Sequence, residues 1–374
     1  MRVLIVSHHA FPHVGGLEAL VDLEVRTLVH LGHTIVHVTS DLGGAGHVPH
    51  YGAGVRQIRV PAWHVLERRF QVPYPLFSPR LVRVLWEETG RCDVVHAHGF
   101  LFMSSVLALA LAWIRGVPVR LLTDHGGVQR YHARWVTALA RIGAWTVGRL
   151  TTLLATRLVA YNTRVLRDLH RLAGPGKPSL FLPYPVDEQI FRAPDPGERA
   201  SARRRLGWQE DAIYVLFVGR LIADKGVRLV CDARRADWKL VFCGPGDARI
   251  LPRGEASVHY YPPRPRPQLV ELYHAADVLV LPSAREGFPL VVREALACGL
   301  RAVLAYEPGY EAYRHLPGLF FCQREPSSIR EAIERALQDT TPSELIAAGQ
   351  RGSAPSPEAW VSQLYADALG RKTP

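Results

Sequence analysis

The feature that most restricts this chain is a rhythm that runs through it twice. RVLIVS, TIVHVTS, DVVHAH, VRLLTD and RLVAYN are short runs rich in Val, Ile and Leu, set between helical stretches such as LEALVDLEVRTLVHLG. A second series starts at IYVLFVG and continues through WKLVFCG, VHYY, DVLVLP and RAVLAY. Apolar β-branched runs alternating with 3.6-periodic segments predict βαβ units, and hence parallel sheets covered by helices on both faces. The two series predict two doubly wound α/β domains in tandem, which suits a length of 374 residues. Between them PDPGERASARRRLGWQED is polar and rich in Pro, Gly and charge, and reads as a linker.

Composition supports two buried cores and excludes global disorder, with 48% hydrophobic and 21% charged residues. Cys92, Cys231, Cys243, Cys298 and Cys322 show no CxxC spacing and lie mostly in apolar runs, as expected of reduced core thiols in a cytoplasmic protein. MRVLIVSHHAF is interrupted by histidines too early for a signal peptide and reads as a first strand. The longest apolar run, Leu101 to Ile114, falls short of the roughly 20 residues that span a bilayer and reads as a buried helix. Residues 1–190 hold 20 Arg and Lys against 12 Asp and Glu, and the remainder 25 against 22, so +8 of the formal +11 sits in the first half. That excess is compatible with an anionic substrate, an anionic membrane surface or nucleic acid, and equally with a general preference for arginine.

In open parallel sheets ligands collect at the carboxyl ends of the strands. After the first strand, Gly15 and Gly16 open a helix, either as a cradle for an anion at its positive end or as a plain turn. After IYVLFVG come Arg220 and, five residues on, Lys225, a forked guanidinium and a point charge suited to a diphosphate. EGFPLVVREALACG follows DVLVLPS. With Pro289 at the first turn of a helix, Gly287 and Phe288 offer backbone N–H groups to a phosphate or sugar oxygen. Glu286 and Glu294 are eight residues apart, a rise of about 12 Å along a helix. That exceeds the roughly 5–10 Å between paired carboxylates of glycoside hydrolases and suits two acids gripping opposite ends of a nucleotide sugar.

PSAREGFPLVVREALACG resembles the donor-site signature of family 4 retaining glycosyltransferases (glycosyl transferases group 1), and VGG, DVVHAHG, TDHGG, PVDEQIF, FVGRLIADKG, VFCGPGD, LYHAADVLVLPS and EAWVSQLY extend the resemblance along most of the chain. The resemblance implies a GT-B fold, two Rossmann-like domains facing each other across a cleft. It implies an acceptor-side domain over 1–190, a donor-binding domain over 191–356, and a C-terminal helix in 357–374 returning to the first. It assigns Arg220 and Lys225 to the donor diphosphate, Glu294 to the ribose, Glu286 with the backbone from Gly287 through Phe288 and Pro289 to Leu290 to the sugar and phosphate, and His125 to the transferred sugar. Gly16 joins the donor site, while His96 and His98 read as structural before catalytic. Three stretches depart from the family pattern: Arg301 and Pro308 in GLRAVLAYEPGYEAY, Pro262 and Pro263 after VHYY, and PYPVD in place of NGVD. The first two border the expected donor pocket and put donor choice in question.

No Asp-x-Asp pair occurs. No metal and no cofactor is therefore expected, the leaving nucleoside diphosphate being stabilised by Arg220, Lys225 and helix N–H groups. The expected reaction moves a hexosyl group from a UDP- or GDP-sugar, with retention, to a hydroxyl of a glycolipid, oligosaccharide or polysaccharide acceptor. Basic and aromatic residues in VRQIRVPAWHVLERRF and RYHARWVTALARIGAWTVGRL suit acceptor binding, the latter against an anionic bilayer surface or simply packed on a sheet. A cytoplasmic protein, peripheral on the membrane, is the expected setting. Two rivals remain: a nucleotide-sugar epimerase of the same fold, and a non-catalytic basic nucleotide- or nucleic-acid-binding protein, the latter without any RNA- or DNA-binding signature in the chain.

Overall fold

The computed structural model describes all residues except 14, 42–50, 71–73, 128–133, 253, 254, 256, 285 and 371–374, and the side chains of 68–70 and 134. The chain divides into two compact units, Met1–Leu182 with Pro357–Pro374, and Pro183–Ser356.

The first unit is built on eight strands: β1 Arg2–Val6, β2 Thr34–Asp41, β3 Val55–Trp63, β4 Leu76–Phe77, β5 Val94–His98, β6 Val119–Asp124, β7 Arg157–Ala160 and β8 Ser179–Phe181. Their order is β4-β3-β2-β1-β5-β6-β7-β8, parallel except for the β3–β4 pair. Chain order reverses between β1 and β5, so the carboxyl ends of these two strands flank the switch point. Both strands are covered on both faces: Val3, Leu4, Ile5 and Val6 are fully buried, as are Val94 and Val95.

The helix Gly16–His30 buries Leu20, Leu23, Val25 and Leu28, and is followed by Gly32, whose φ of +79° lets the chain turn back into β2. Leu101–Ile114 contributes the helix Met103–Ile114, whose Ala108, Leu109 and Ala112 are fully buried while Trp113 and Ile114 at its end are exposed. Among the described residues no helix is long and apolar enough to cross a membrane. The helix Pro357–Leu364 packs on Gly16–His30 and buries Trp360, Val361 and Leu364 within the first unit.

The second unit carries β9 Ile213–Val218, β10 Trp238–Cys243, β11 Val258–Tyr261, β12 Val278–Leu281, β13 Arg301–Ala305 and β14 Leu319–Cys322, all parallel, in the order β11-β10-β9-β12-β13-β14. Its switch point lies between β9 and β12, whose following segments hold the sequence-assigned donor residues. The five cysteines are free, and burial pushes the thiols of Cys243, Cys92 and Cys322 up to about 11, 12 and 12.

Two readings of the sequence are corrected here. The segment 194–211 is not a free linker: Glu198–Leu206 is a helix of the second unit. Its Arg203 is buried, donating to the Ala275 carbonyl at 2.9 Å and to the Asp277 carboxylate at 2.8 Å. Pro289 precedes its helix rather than entering it. With φ −66° and ψ 129° it is the extended residue before Leu290–Ala297, and its carbonyl receives Val292 N–H at 3.1 Å.

Candidate active site

In the second unit, three loops at the carboxyl ends of the strands are locked together by their backbones. Ala284 N–H donates to the Asp224 carbonyl at 2.7 Å, joining the loop after β12 to the loop after β9. Gly226, at φ +78°, lies so close that a Cβ would come within 2.6 Å of the Pro282 oxygen. Gly244, after β10, abuts the Gly219 carbonyl, with no room for a side chain. These contacts hold Lys225, at the end of the short turn Ala223–Lys225, against the loop that bears Glu286.

Lys225 and Glu286 form an ion pair, each about one-fifth exposed, so the sequence-assigned phosphate ligand and sugar-facing acid meet one another. Glu286 N–H in turn donates to the Glu307 carboxylate at 3.0 Å, and Glu307 is 9% exposed. Arg220 is exposed and forms no ion pair with any described residue. Phe288 is buried by stacking on Tyr313, centroids 3.8 Å apart, with Tyr310 edge-on. Only its backbone can face a ligand. Leu290 is 9% exposed.

Glu294 lies in the helix Leu290–Ala297 and is 3% exposed. One carboxylate oxygen accepts from Arg266 Nε and Nη2 at 3.1 and 3.0 Å, the other from the Tyr273 hydroxyl at 3.0 Å. Burial, with Glu294 beside it, pushes the Tyr273 phenol well above its ordinary range. Arg266 comes from PPRPRP, the stretch that departs from the family pattern, and its neighbour Arg264 stacks on Tyr261 at 4.4 Å. Sequence reading missed Arg266, Tyr273 and Glu307, because their pairing spans 28, 21 and 21 residues with no periodic signal. The traces were two departures from the family pattern, Pro262 and Pro263 in the stretch that holds Arg266, and Pro308 beside Glu307.

Beside them, Arg293 is fully buried over Phe288 and Tyr313, at 6.0 and 5.6 Å. The Gln350 amide oxygen, turned to face it, accepts at 2.8 and 2.6 Å. Desolvation lowers this guanidinium to about 10, with Tyr313 working against the shift. Its place under the 286–290 turn fixes that turn rather than a ligand.

In the first unit, Gly16 begins its helix and Gly15 caps it in extended conformation. The buried Glu18 carboxylate sits against Gly15 and binds His13 at 2.8 Å, so an acid of the chain itself stands at this helix N-terminus. His125 follows β6, on a turn held by Gly127 N–H donating to Asp124 at 2.6 Å and by Arg164 reaching the Gly126 carbonyl at 3.2 Å. His125 Nε2 lies 3.1 Å from His98 Nδ1. Behind it, His98 Nε2 and His96 Nδ1 face the two oxygens of the fully buried Glu24 at 3.3 and 2.6 Å, with the Tyr365 hydroxyl also on Glu24. His96 Nε2 meets Thr123 at 2.6 Å. Burial works to raise the Glu24 carboxyl, but the two histidines hold it far below the carboxylate range. Burial and the neighbouring His96 lower His98 to about 4, and burial with His98 lowers His125 well below the usual imidazole range. His125 is thus neutral at pH 7, oriented by His98, which is oriented by Glu24.

The fold and these strand-end clusters define a class: two parallel-sheet α/β units of the GT-B type. Sucrose-phosphate synthase from Thermosynechococcus elongatus superposes with a TM-score of 0.79 at 20% identity, over 99% of this chain and 100% of that one. The Anabaena HepE protein, solved in complex with UDP and glucose, gives 0.75 at 16% identity, over 99% of each. The chain belongs to the family 4 glycosyltransferases: the Glycosyltransferase Family 4 profile matches residues 14–189, and that of Glycosyl transferases group 1 matches 198–351. A D-inositol 3-phosphate glycosyltransferase from Geodermatophilus obscurus is 32% identical over 71% of this chain and 63% of its own length. Another, from Catenulispora acidiphila, is 31% identical over 72% of this chain and 71% of its own.

Proposed function

We propose that this chain transfers a hexosyl group, with retention, from a nucleoside diphosphate sugar to a hydroxyl of a lipid-linked or polysaccharide acceptor. The observation that carries the reading is the locked pair of loops after β9 and β12, which brings Lys225 to Glu286 at the sheet's switch point. HepE, whose fold it shares, was solved with UDP and glucose, which favours UDP as the nucleotide.

In this reading Arg220 and Lys225 take the diphosphate and stabilise the charge that builds on it as the glycosidic bond breaks. Lys225 leaves Glu286 to do so, and Glu286 turns to the sugar. The acceptor attacks from the face the diphosphate leaves, and a phosphate oxygen helps to remove its proton. Glu294 takes the ribose hydroxyls with the lone pairs that Arg266 and Tyr273 leave over. The assignment of His125 to the sugar rests on the resemblance of TDHGG; a neutral imidazole there can both donate and accept.

The acceptor side draws on the helix Arg134–Gly143 and its continuation. Trp135, Leu139, Ile142 and Trp145 recur at helical spacing and are 55–60% exposed, an apolar stripe suited to a bilayer surface. Product analysis with UDP- and GDP-sugars in excess EDTA tests the reading: an α-linked product from one donor is expected. Transfer that is lost in EDTA and restored by manganese, or an epimerised donor without acceptor, would overturn it.

A further inference from the structure

The loop after β1 and the end of β3 gather histidines that the glycosyl-transfer reading does not use. His9 is fully buried, while His64, Glu67 and His13 are 9%, 29% and 27% exposed by side chain. His9 Nε2 and His64 Nδ1 lie 3.3 and 3.7 Å from one oxygen of Glu67, and His13 Nε2 lies 3.5 Å from the other. The ligand atoms of His9, His64 and Glu67 all fall within 4.8 Å of one another.

The outer hydrogen bonds fix which nitrogens carry hydrogen. The Ser40 hydroxyl donates to the His8 carbonyl at 2.5 Å, so it can only accept from His9 Nδ1–H, at 3.1 Å. His64 Nε2 faces the Asp41 carbonyl at 3.2 Å, an acceptor, and must carry its hydrogen. His13 Nδ1 likewise faces the Glu18 carboxylate at 2.8 Å. In their neutral forms His9 and His64 therefore each turn a bare nitrogen inward, and buried His9 Nε2 and His64 Nδ1 have no hydrogen-bond partner. His13 differs: against the effect of burial, hydrogen bonds to the Glu18 and Glu67 carboxylates raise it to about 9, so it carries hydrogen on both nitrogens. Two bare nitrogens facing one carboxylate oxygen are repelled by it, and a cation between them would remove that repulsion. Outer bonds from imidazole to carboxylate, hydroxyl and carbonyl are also what orient histidine ligands around a metal.

We propose that His9, His64 and Glu67, flanked by His13, bind one divalent transition-metal ion of the zinc class, with a coordination position left open toward solvent. Tetrahedral bonds of about 2.0–2.1 Å separate ligand atoms by about 3.3 Å, close to the 3.3 and 3.7 Å from Glu67 to His9 and His64. Two imidazoles and a carboxylate suit zinc rather than magnesium or calcium, which take oxygen. The other cluster of ligating groups among the described residues, Glu24 with His96 and His98, is closed. Glu24 lies 2.6 Å from His96 Nδ1 and also holds Tyr365, a hydrogen-bond spacing too short for two ligands of one ion. The site lies at strand ends of the first unit and shares no residue with the diphosphate assignment, Arg220 and Lys225, in the second.

The test uses the full chain, stripped with chelator and titrated with zinc by calorimetry and with cobalt by visible absorption. One equivalent is expected to bind, with an intense tetrahedral cobalt band. Glu67→Gln and His64→Gln, with circular dichroism matching wild type, should each weaken binding about 100-fold or more, since even outer-shell changes cost 10–100-fold. Zinc should also protect His64 of the unmodified chain from diethylpyrocarbonate, read by mass spectrometry, which does not depend on any variant folding. Absence of saturable binding, full binding by Glu67→Gln, or no protection of His64 would overturn the site.

Discussion

Glu294→Gln tests both the architecture and the chemistry of the second unit. The substitution keeps the shape of the side chain and one oxygen, which can still accept from Tyr273, now 3.0 Å away. It presents an amide N–H₂ or a neutral oxygen to Arg266, whose Nε and Nη2 converge on a single carboxylate oxygen. A hydrogen bond to a charged group contributes about 1.5–3 kcal/mol, and breaking a buried pair costs about 3–5 kcal/mol. Arg266 is 15% exposed and regains part of its hydration, so the loss should fall near the lower range, about 2–3 kcal/mol. For a unit of this size that lowers Tm by roughly 4–12 °C. Differential scanning calorimetry reads it, and Arg266→Met with Glu294→Gln should recover at least about 1 kcal/mol relative to the sum of the single variants. UDP affinity, measured by calorimetry at a temperature where both proteins are folded, should fall about tenfold or more if the ribose is held here. A variant as stable as wild type would refute the structural pairing; one less stable with unchanged UDP affinity would remove Glu294 from the ligand.

Arg220→Ala and Lys225→Ala should each weaken UDP binding by about 1.5–3 kcal/mol without unfolding the second unit; wild-type affinity in both would defeat the diphosphate assignment. Glu286→Gln should bind free UDP nearly normally yet lose most of its turnover, because only contacts strengthened in the transition state change the chemical step; loss of UDP affinity with intact turnover would reverse its role. Trp135→Ala with Trp145→Ala should reduce sedimentation with phosphatidylglycerol vesicles severalfold while leaving UDP binding unchanged, and equal sedimentation would exclude this face. Acid should destabilise the first unit. His98, lowered to about 4, resists protonation when folded, so the unfolded chain takes up more protons as pH falls below about 6.5, and stability declines until about pH 4, by roughly 3 kcal/mol for this residue. His37, lowered to about 3 by burial, acts in the same direction. Urea unfolding at pH 7 and pH 4.5 measures the slope; His98→Asn should flatten it, and a pH-independent wild type would refute the burial argument.

The β-rich runs were legible because central parallel strands are buried on both faces and leave unbroken apolar stretches. β3 was not. In Val55–Trp63 only Val60 is buried, while Arg56 is exposed and Arg59 half-buried in a strand next to the sheet edge, so the stretch reads as a basic patch. β14 is four residues long and gives no period to detect. The run ERASARRRL resembled solvated linker because charge marks exposure only when it is unpaired, and Arg203 is paired by Asp277 and four carbonyl groups. Glu286 and Glu294 stood out by their spacing, whereas Arg266 and Tyr273 belong to the segment after β11, whose nearness follows from strand order alone. Likewise SHHAFPH was visible as composition, but its meeting with His64 and Glu67 depends on β3 running parallel to β2 two strands away from β1.

The two glutamates of EGFPLVVREALACG end up with the same local task, each holding a cation of its own chain: Lys225 for Glu286, Arg266 for Glu294. A diphosphate arriving at Lys225 must displace a carboxylate that already neutralises it, so the attraction gained there is a difference between two ion pairs and smaller than the charge alone suggests. Arg220 faces no such exchange, being exposed with no acidic partner among the described residues. Its attraction for an anion is reduced only by solvent and salt. If these residues take the diphosphate as proposed, the electrostatic bias toward it rests on Arg220, while Lys225 couples the arrival of the anion to the release of Glu286. That coupling gives a reason for a lysine at this position, since a single flexible ammonium can move from one partner to the other where a forked guanidinium would tend to stay with both carboxylate oxygens.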